Sequence, residues 1–113
     1  MAAGYQELFV EQGANYSTSI TLDDSNGDAF NLTDYQAKCQ MKKSYYSTNA
    51  TAEFTTTITS PLNGIISLSM NSQTTANIAA GRYVYDVIIK SSSNTVTRVL
   101  EGIVNIIPQV TKF

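Results

Sequence analysis

Asp23, Asp24, Asn26 and Asp28 gather oxygen-bearing side chains within the segment DDSNGD, where acidic groups are densest in this sequence. Oxygens at alternate positions suit a calcium loop, but an EF-hand would continue to a glutamate and be flanked by helices. Neither follows. The segment therefore reads as a hairpin turn, with calcium as the minor alternative, because Asx side chains bond their own backbone in such turns.

Elsewhere the reactive residue types are sparse. The sequence contains no histidine, which removes the usual general base near neutral pH and the commonest metal ligand. Cys39 is the single cysteine, so an intramolecular disulfide and a cysteine zinc cage are both excluded. It falls on the apolar side of an alternating stretch and reads as a small packed hydrophobe. Asp86 has no second acid beside it in sequence. The expectation is a protein that performs no catalysis and carries no cofactor or metal.

Contact chemistry is better represented than catalytic chemistry. Tyr45 and Tyr46 stand at the tip of the polar loop SYYSTNA, and tyrosine supplies amphipathic contact area at low entropic cost. Arg82 and Asp86 fall on outward-facing positions of one strand, and Asp86 is placed to pair with Arg98 or Lys90 across the final hairpin. Tyr45, Tyr46, Arg82, Asp86 and Arg98 are the five candidate partner contacts. A run of threonines, Thr55, Thr57 and Thr59, marks a further strand able to pair edge to edge with a neighbour. The Asn15, Asn31 and Asn49 glycosylation sequons carry little weight in a chain so rich in Ser, Thr and Asn.

The bulk properties bound the partners. Net charge is −2, and the seven basic residues are scattered, so the basic footprint that nucleic acid requires is missing. No apolar run approaches the roughly 20 residues that cross a bilayer, and the start does not read as a signal peptide. At 113 residues the chain fits one domain, 1–113, with free ends expected at 1–4 and 109–113. Charged residues make up 14%, well below the roughly 25% of an average soluble chain, which suits strands better than exposed helices.

Alternation supplies the positioning elements. Tyr5 and Phe9 oppose Leu8 and Val10 in parity, which leaves the facing of the first strand open. Tyr16, Thr18, Ile20 and Leu22 share one side of the next strand, and Asn26 with Gly27 supplies the turn after it. Tyr35, Ala37, Cys39 and Met41 face inward on a strand over 35–43, and Phe54 with Ile58 does so on one over 51–59. Pro61, Asn63 and Gly64 turn the chain into Ile66, Leu68 and Met70. Residues 71–80 lack alternation and predict one short helical turn, capped by Asn71 or Ser72 and closed by Gly81. Tyr83, Tyr85, Val87 and Ile89 then face inward. The hairpin loop SSSNT leads into a last strand from Val96 to Ile107 that is apolar on both parities near its end, from burial on two sides or a bulge near Gly102.

About seven strands with turns every eight to twelve residues or so predict a β-sandwich of immunoglobulin-like type. A small-residue turn followed by Tyr83 looks like the tyrosine corner of that fold, with Tyr85 where antibody domains carry their second cysteine. That cysteine and the core tryptophan are both missing, so the domain is not of antibody type.

Beyond these positions, the sequence carries Gly13, Tyr16, Ile20 and Leu22 as G-x-x-Y-x-x-x-I-x-L, then NLTDY at 31–35 and a strand ending in Lys43-Ser44. With AGRYVYDV at 80–87 and VTRVLEG at 96–102, nearly the whole chain resembles small domains of tailed-phage virion proteins. They are similar to the N-terminal domain of phage baseplate upper proteins, in marine and cyanobacterial phages. The resemblance implies an immunoglobulin-like, non-enzymatic structural module present in several copies per virion, made in the host cytoplasm and bound to other virion proteins. Tail or baseplate is the first expectation, with capsid decoration and binding of a host-surface carbohydrate as alternatives. The family's tail members continue into a linker and a fibre part, whereas this sequence ends six residues after its closing strand. That shortness raises the expectation of a free-standing piece.

Overall fold

In the computed structural model, which describes residues 4–112, the alternating stretches become strands in the predicted order. They are β1 (Gly4–Tyr5), β2 (Leu8–Glu11), β3 (Tyr16–Thr21), β4 (Gln36–Lys42), β5 (Ala52–Ser60), β6 (Ile65–Met70), β7 (Gly81–Lys90) and β8 (Val96–Ile107). A 3-10 turn at Pro61–Asn63 and a one-turn helix, α1 (Ser72–Ala76), complete the set. Taking β1 and β2 as one interrupted strand, the count is the expected seven of an immunoglobulin-like β-sandwich.

The strands form one curled sheet whose two halves face each other. One half runs β8–β7–β4 to the start of β5, with β1 and β2 parallel to β8 on its outer side. The other runs from the end of β5 through β6 to β3, all antiparallel. β5 joins them: Ala52–Phe54 pair with β4, and Thr55–Ser60 pair with β6. Where it leaves β4, the Thr56 hydroxyl donates to the Ala37 carbonyl at 2.8 Å and satisfies an acceptor that the ladder abandons.

The inward parities meet between the halves. Val10, Met41, Phe54, Ile66, Leu68, Val87 and Val104 are wholly or almost wholly buried, and Phe54 packs edge-on against Tyr16 and tilted against Tyr85. Burying aliphatic and aromatic side chains of this size contributes about 1.5–3 kcal/mol each. Leu32 and Ile78, from the connections, close the two ends of the core.

The facing that alternation left open in the first strand is settled: Leu8 and Val10 face inward and Phe9 outward, because they pair in register with inward Val104 and Ile106 of β8 and paired residues share a face. Other expectations are corrected. The bulge of the last hairpin is at Val99, not near Gly102: Val87 pairs with Leu100 and Ile88 with Arg98, so Val99 has no opposite residue and turns inward beside Leu100. Gly81 does not close the helix. The cap is Asn77, whose N–H reaches the Thr74 and Thr75 carbonyls, and Gly81 opens β7 with φ 143°. In the DDSNGD turn only Gly27 has positive φ. Of the expected free ends, residues 1–3 and 113 lie outside the described residues. Gly4 is paired with Leu100, and the Gln109 N–H donates to the Gln12 side chain at 3.2 Å.

Candidate contact surface

The outward faces of β4, β7 and β8 form one continuous surface, and the pairing register sets its rows. Lys42, Val84 and Ile103 make one row; Gln40, Asp86 and Glu101 make the next, continued by Tyr5 of β1. After the bulge come Lys38, Ile88 and Arg98. Because successive residues alternate faces, every residue in these rows except Tyr5 is the sequence neighbour of a buried residue, and core packing fixes its position.

Three of the five sequence-chosen residues converge here. Arg98 sits 3.3 Å from Glu101 and 3.9 Å from Asp86, with 49% of its side chain and 41% of that of Asp86 exposed. Pairs so exposed are worth well under about 1 kcal/mol, so they set side-chain direction more than stability. Lys90 faces the same side of β7 but makes no ion pair among the described residues. Tyr45, 61% exposed, hangs from the loop after β4 and lines a shallow depression of about 170 Å³ with Gln40, Lys42, Val84 and Asp86. Arg82 is exposed at the start of β7, in the row of Asn105. Tyr46 is 96% exposed.

Sequence reasoning missed the apolar part of this surface. Val84, Ile88 and Ile103 are half-buried on the outward side, and Phe9 and Ile107 are exposed beside them at the β2 edge. The signal was available in the double apolar parity of β7 and β8, which placed hydrophobic residues on both faces.

The remaining candidates are structural. Asp24 accepts backbone N–H groups of Asn26 at 2.9 Å and Asp28 at 3.1 Å, so its carboxylate closes the turn. Cys39 is buried, and loss of hydration, followed by the nearby Asp86 and Glu53 charges, pushes its thiol up to about 12. Burial likewise raises the Tyr85 phenol, and that of Tyr16 against a weaker opposing pull from its hydrogen bond with Thr18. None of these shifts produces an acid or base near neutral pH. Among the described residues no group of three or more His, Cys, Asp or Glu is placed to hold a metal, and no helix is long and apolar enough to cross a membrane. What the surface offers is shape, half-buried apolar residues and paired charges in adjacent rows.

The tyrosine corner is present in its full geometry: the Tyr83 hydroxyl donates to the Ala79 carbonyl at 2.7 Å, four residues upstream. Lys43 lies over the same ring, its Nζ 4.9 Å from the centroid.

No protein-family model matches the chain, and no curated protein sequence matches it. Among solved structures it is similar to the N-terminal domain of phage TP901-1 ORF48, at 11% identity and TM-score 0.51, over 97% of this chain and 100% of that one. It is also similar to the Lin-41 filamin domain, at 22% identity and TM-score 0.42, over 80% and 81% of the two chains. CopC from Methylosinus trichosporium OB3b matches at 12% identity and TM-score 0.43, over 85% of this chain and 100% of that one. At these identities the likeness describes the fold, a small immunoglobulin-like β domain.

Proposed function

We propose that this domain is a non-enzymatic structural subunit of a tailed-phage virion, an assembly module of the tail or baseplate that binds other virion proteins through the outer face of β4, β7 and β8. The observation that carries this reading is the end-to-end correspondence with the N-terminal domain of a phage protein, covering 97% and 100% of the two chains. It agrees with the phage-type motifs running from Gly13 to Gly102. Half-buried Val84 and Ile103 on one side of the Asp86–Glu101 row and Ile88 beside Arg98 on the other set apolar groups next to ion-paired charges, a mixture that suits protein docking, since interfaces combine apolar and polar contacts.

The test is a symmetry-averaged reconstruction of intact particles carrying a label on this chain. Density clamped between other subunits of the tail or baseplate is the expected result. Label on the outside of the head would replace the reading with capsid decoration. Label only at distal fibre tips would replace it with glycan recognition, for which the exposed Tyr45 and Tyr46 are the available aromatic platform.

A further inference from the structure

Among the described residues, every free sheet edge but one carries a device against pairing. On the β8 side the outermost strands, β1 and β2, are short, broken at Gln6-Glu7 and flanked by Glu7 and Glu11. β5 meets β4 for only three residues and then diverges, with Thr56 bonded back to Ala37. Its later half ends in a register shift and Pro61. Short length, charge, irregularity and proline are the usual protections of an edge.

β3 has none of them. Tyr16–Thr21 is an unbroken strand in continuous register with β6 from Met70 to Ile65, containing no charge, proline or glycine. Its far edge is bare because the amino-terminal strand, which in such a sandwich could lie along it, pairs entirely with β8. Among the described residues, no other segment bonds to the backbone of Tyr16–Thr21. The bare length stops at Leu22, whose carbonyl accepts the Phe30 N–H at 2.9 Å, next to the Asp23–Ala29 bridge. The result is a slot of six residues, about 20 Å long at a strand's usual rise.

We propose that this slot pairs with the same strand of a second copy of the chain, antiparallel and about a twofold axis, so that two three-stranded half-sheets become one. A twofold opposes each residue with its own kind or with a neighbour on the same face, so a charge near the axis would meet a like charge. β3 carries none, which makes its edge self-complementary.

Directly opposed residues of an antiparallel pair share a face, so inner Tyr16, Thr18 and Ile20 must meet inner residues. The axis therefore passes between the two copies of a single residue. Centred on Thr18, it opposes Ser17 with Ser19 and Tyr16 with Ile20, all within the slot. The outer row is then entirely hydroxyl, and the inner row continues the core side. This pairing uses an edge, not the outer face of β4, β7 and β8, and so stands independently of the virion reading.

Sedimentation of the purified chain tests it, with circular dichroism to confirm that each variant is folded. The expected result is a dimer that the double variant Ser17→Lys, Ser19→Lys converts to monomer, since both serines are exposed and each lysine would face another across the axis. Register is read by oxidation. An equimolar mixture of Ser17→Cys and Ser19→Cys proteins should cross-link more than either alone, with buried Cys39 left out of the reaction. A wild-type monomer at all concentrations, a dimer that survives both lysines, or the absence of the mixed cross-link would each overturn the proposal.

Discussion

Tyr85 lies opposite Gly102 across β7 and β8, and its hydroxyl donates to the Gln6 carbonyl at 2.7 Å, tying the break between β1 and β2 to the core. The glycine is required by proximity. A Cβ there would run into the Gln6 carbonyl and stand 3.2 Å from the Tyr85 ring. Gly102→Ala should therefore push the amino-terminal strand off β8 and cost about 1–3 kcal/mol, as overpacking does, in chemical denaturation. Tyr85→Ala should cost about 3–5 kcal/mol, as truncation of a buried aromatic does. Two near-neutral results would remove Tyr85 from the core.

Tyr83→Phe keeps the ring under Lys43 and deletes only the corner hydrogen bond to Ala79. Ala79 is exposed, so its carbonyl regains water and the loss should be about 1 kcal/mol. Faster amide exchange confined to 77–81, measured by NMR, is the local signature.

Thr75 is the one wholly buried polar residue described, and its hydroxyl joins α1 to the turn before β3. It accepts the Gly13 N–H at 3.0 Å and lies 2.9 Å from the Ala14 carbonyl, to which it donates. Thr75→Val preserves shape but strands both backbone groups, so it should cost more than Tyr83→Phe, about 2 kcal/mol or above. Thermal denaturation of the two variants side by side checks the order.

Cys39 should resist thiol reagents in the native state and react once denatured, because the buried thiol has its ionisation raised to about 12 from 9.0. The folded chain therefore holds this proton at pH values where the unfolded chain releases it. Its stabilising contribution is complete below about 9 and is lost progressively as pH rises toward 12. Tyr16 and Tyr85, also raised by burial, add in the same direction above 10.0. Cys39→Val should flatten the first part of that decline in denaturation measured across alkaline pH.

Asp86→Asn should change stability by no more than about 0.5 kcal/mol, since Arg98 keeps its shorter contact with Glu101. A larger loss would mean that the outward ion pairs hold the β7–β8 register.

What the sequence by itself determined is the facing of residues along most strands. Strict alternation in 16–22 and 35–43, and on the inward side of 83–89, requires one apolar side, and Tyr83 announced its corner because small residues precede it. Asn71 capped a helix as expected, its side chain accepting the Thr74 N–H at 2.8 Å. Of the candidate contact surface, the outward places of Arg82 and Asp86 were legible; that of Arg98, which the bulge at Val99 turns away from the parity of Leu100 and Val104, and the grouping with Tyr45, Val84, Ile88 and Ile103 were not.

Only the tertiary structure decided which strands became neighbours. A period of two says which way a side chain points but not what lies beside the backbone, and β-pairing joins segments far apart in the chain. So the parallel placement of β1 and β2 along β8, the transfer of β5 between half-sheets and the bulge at Val99 leave no local mark. Nor does the bare edge of β3: its six residues read as an ordinary strand, and it is an open slot because the amino-terminal segment packs elsewhere.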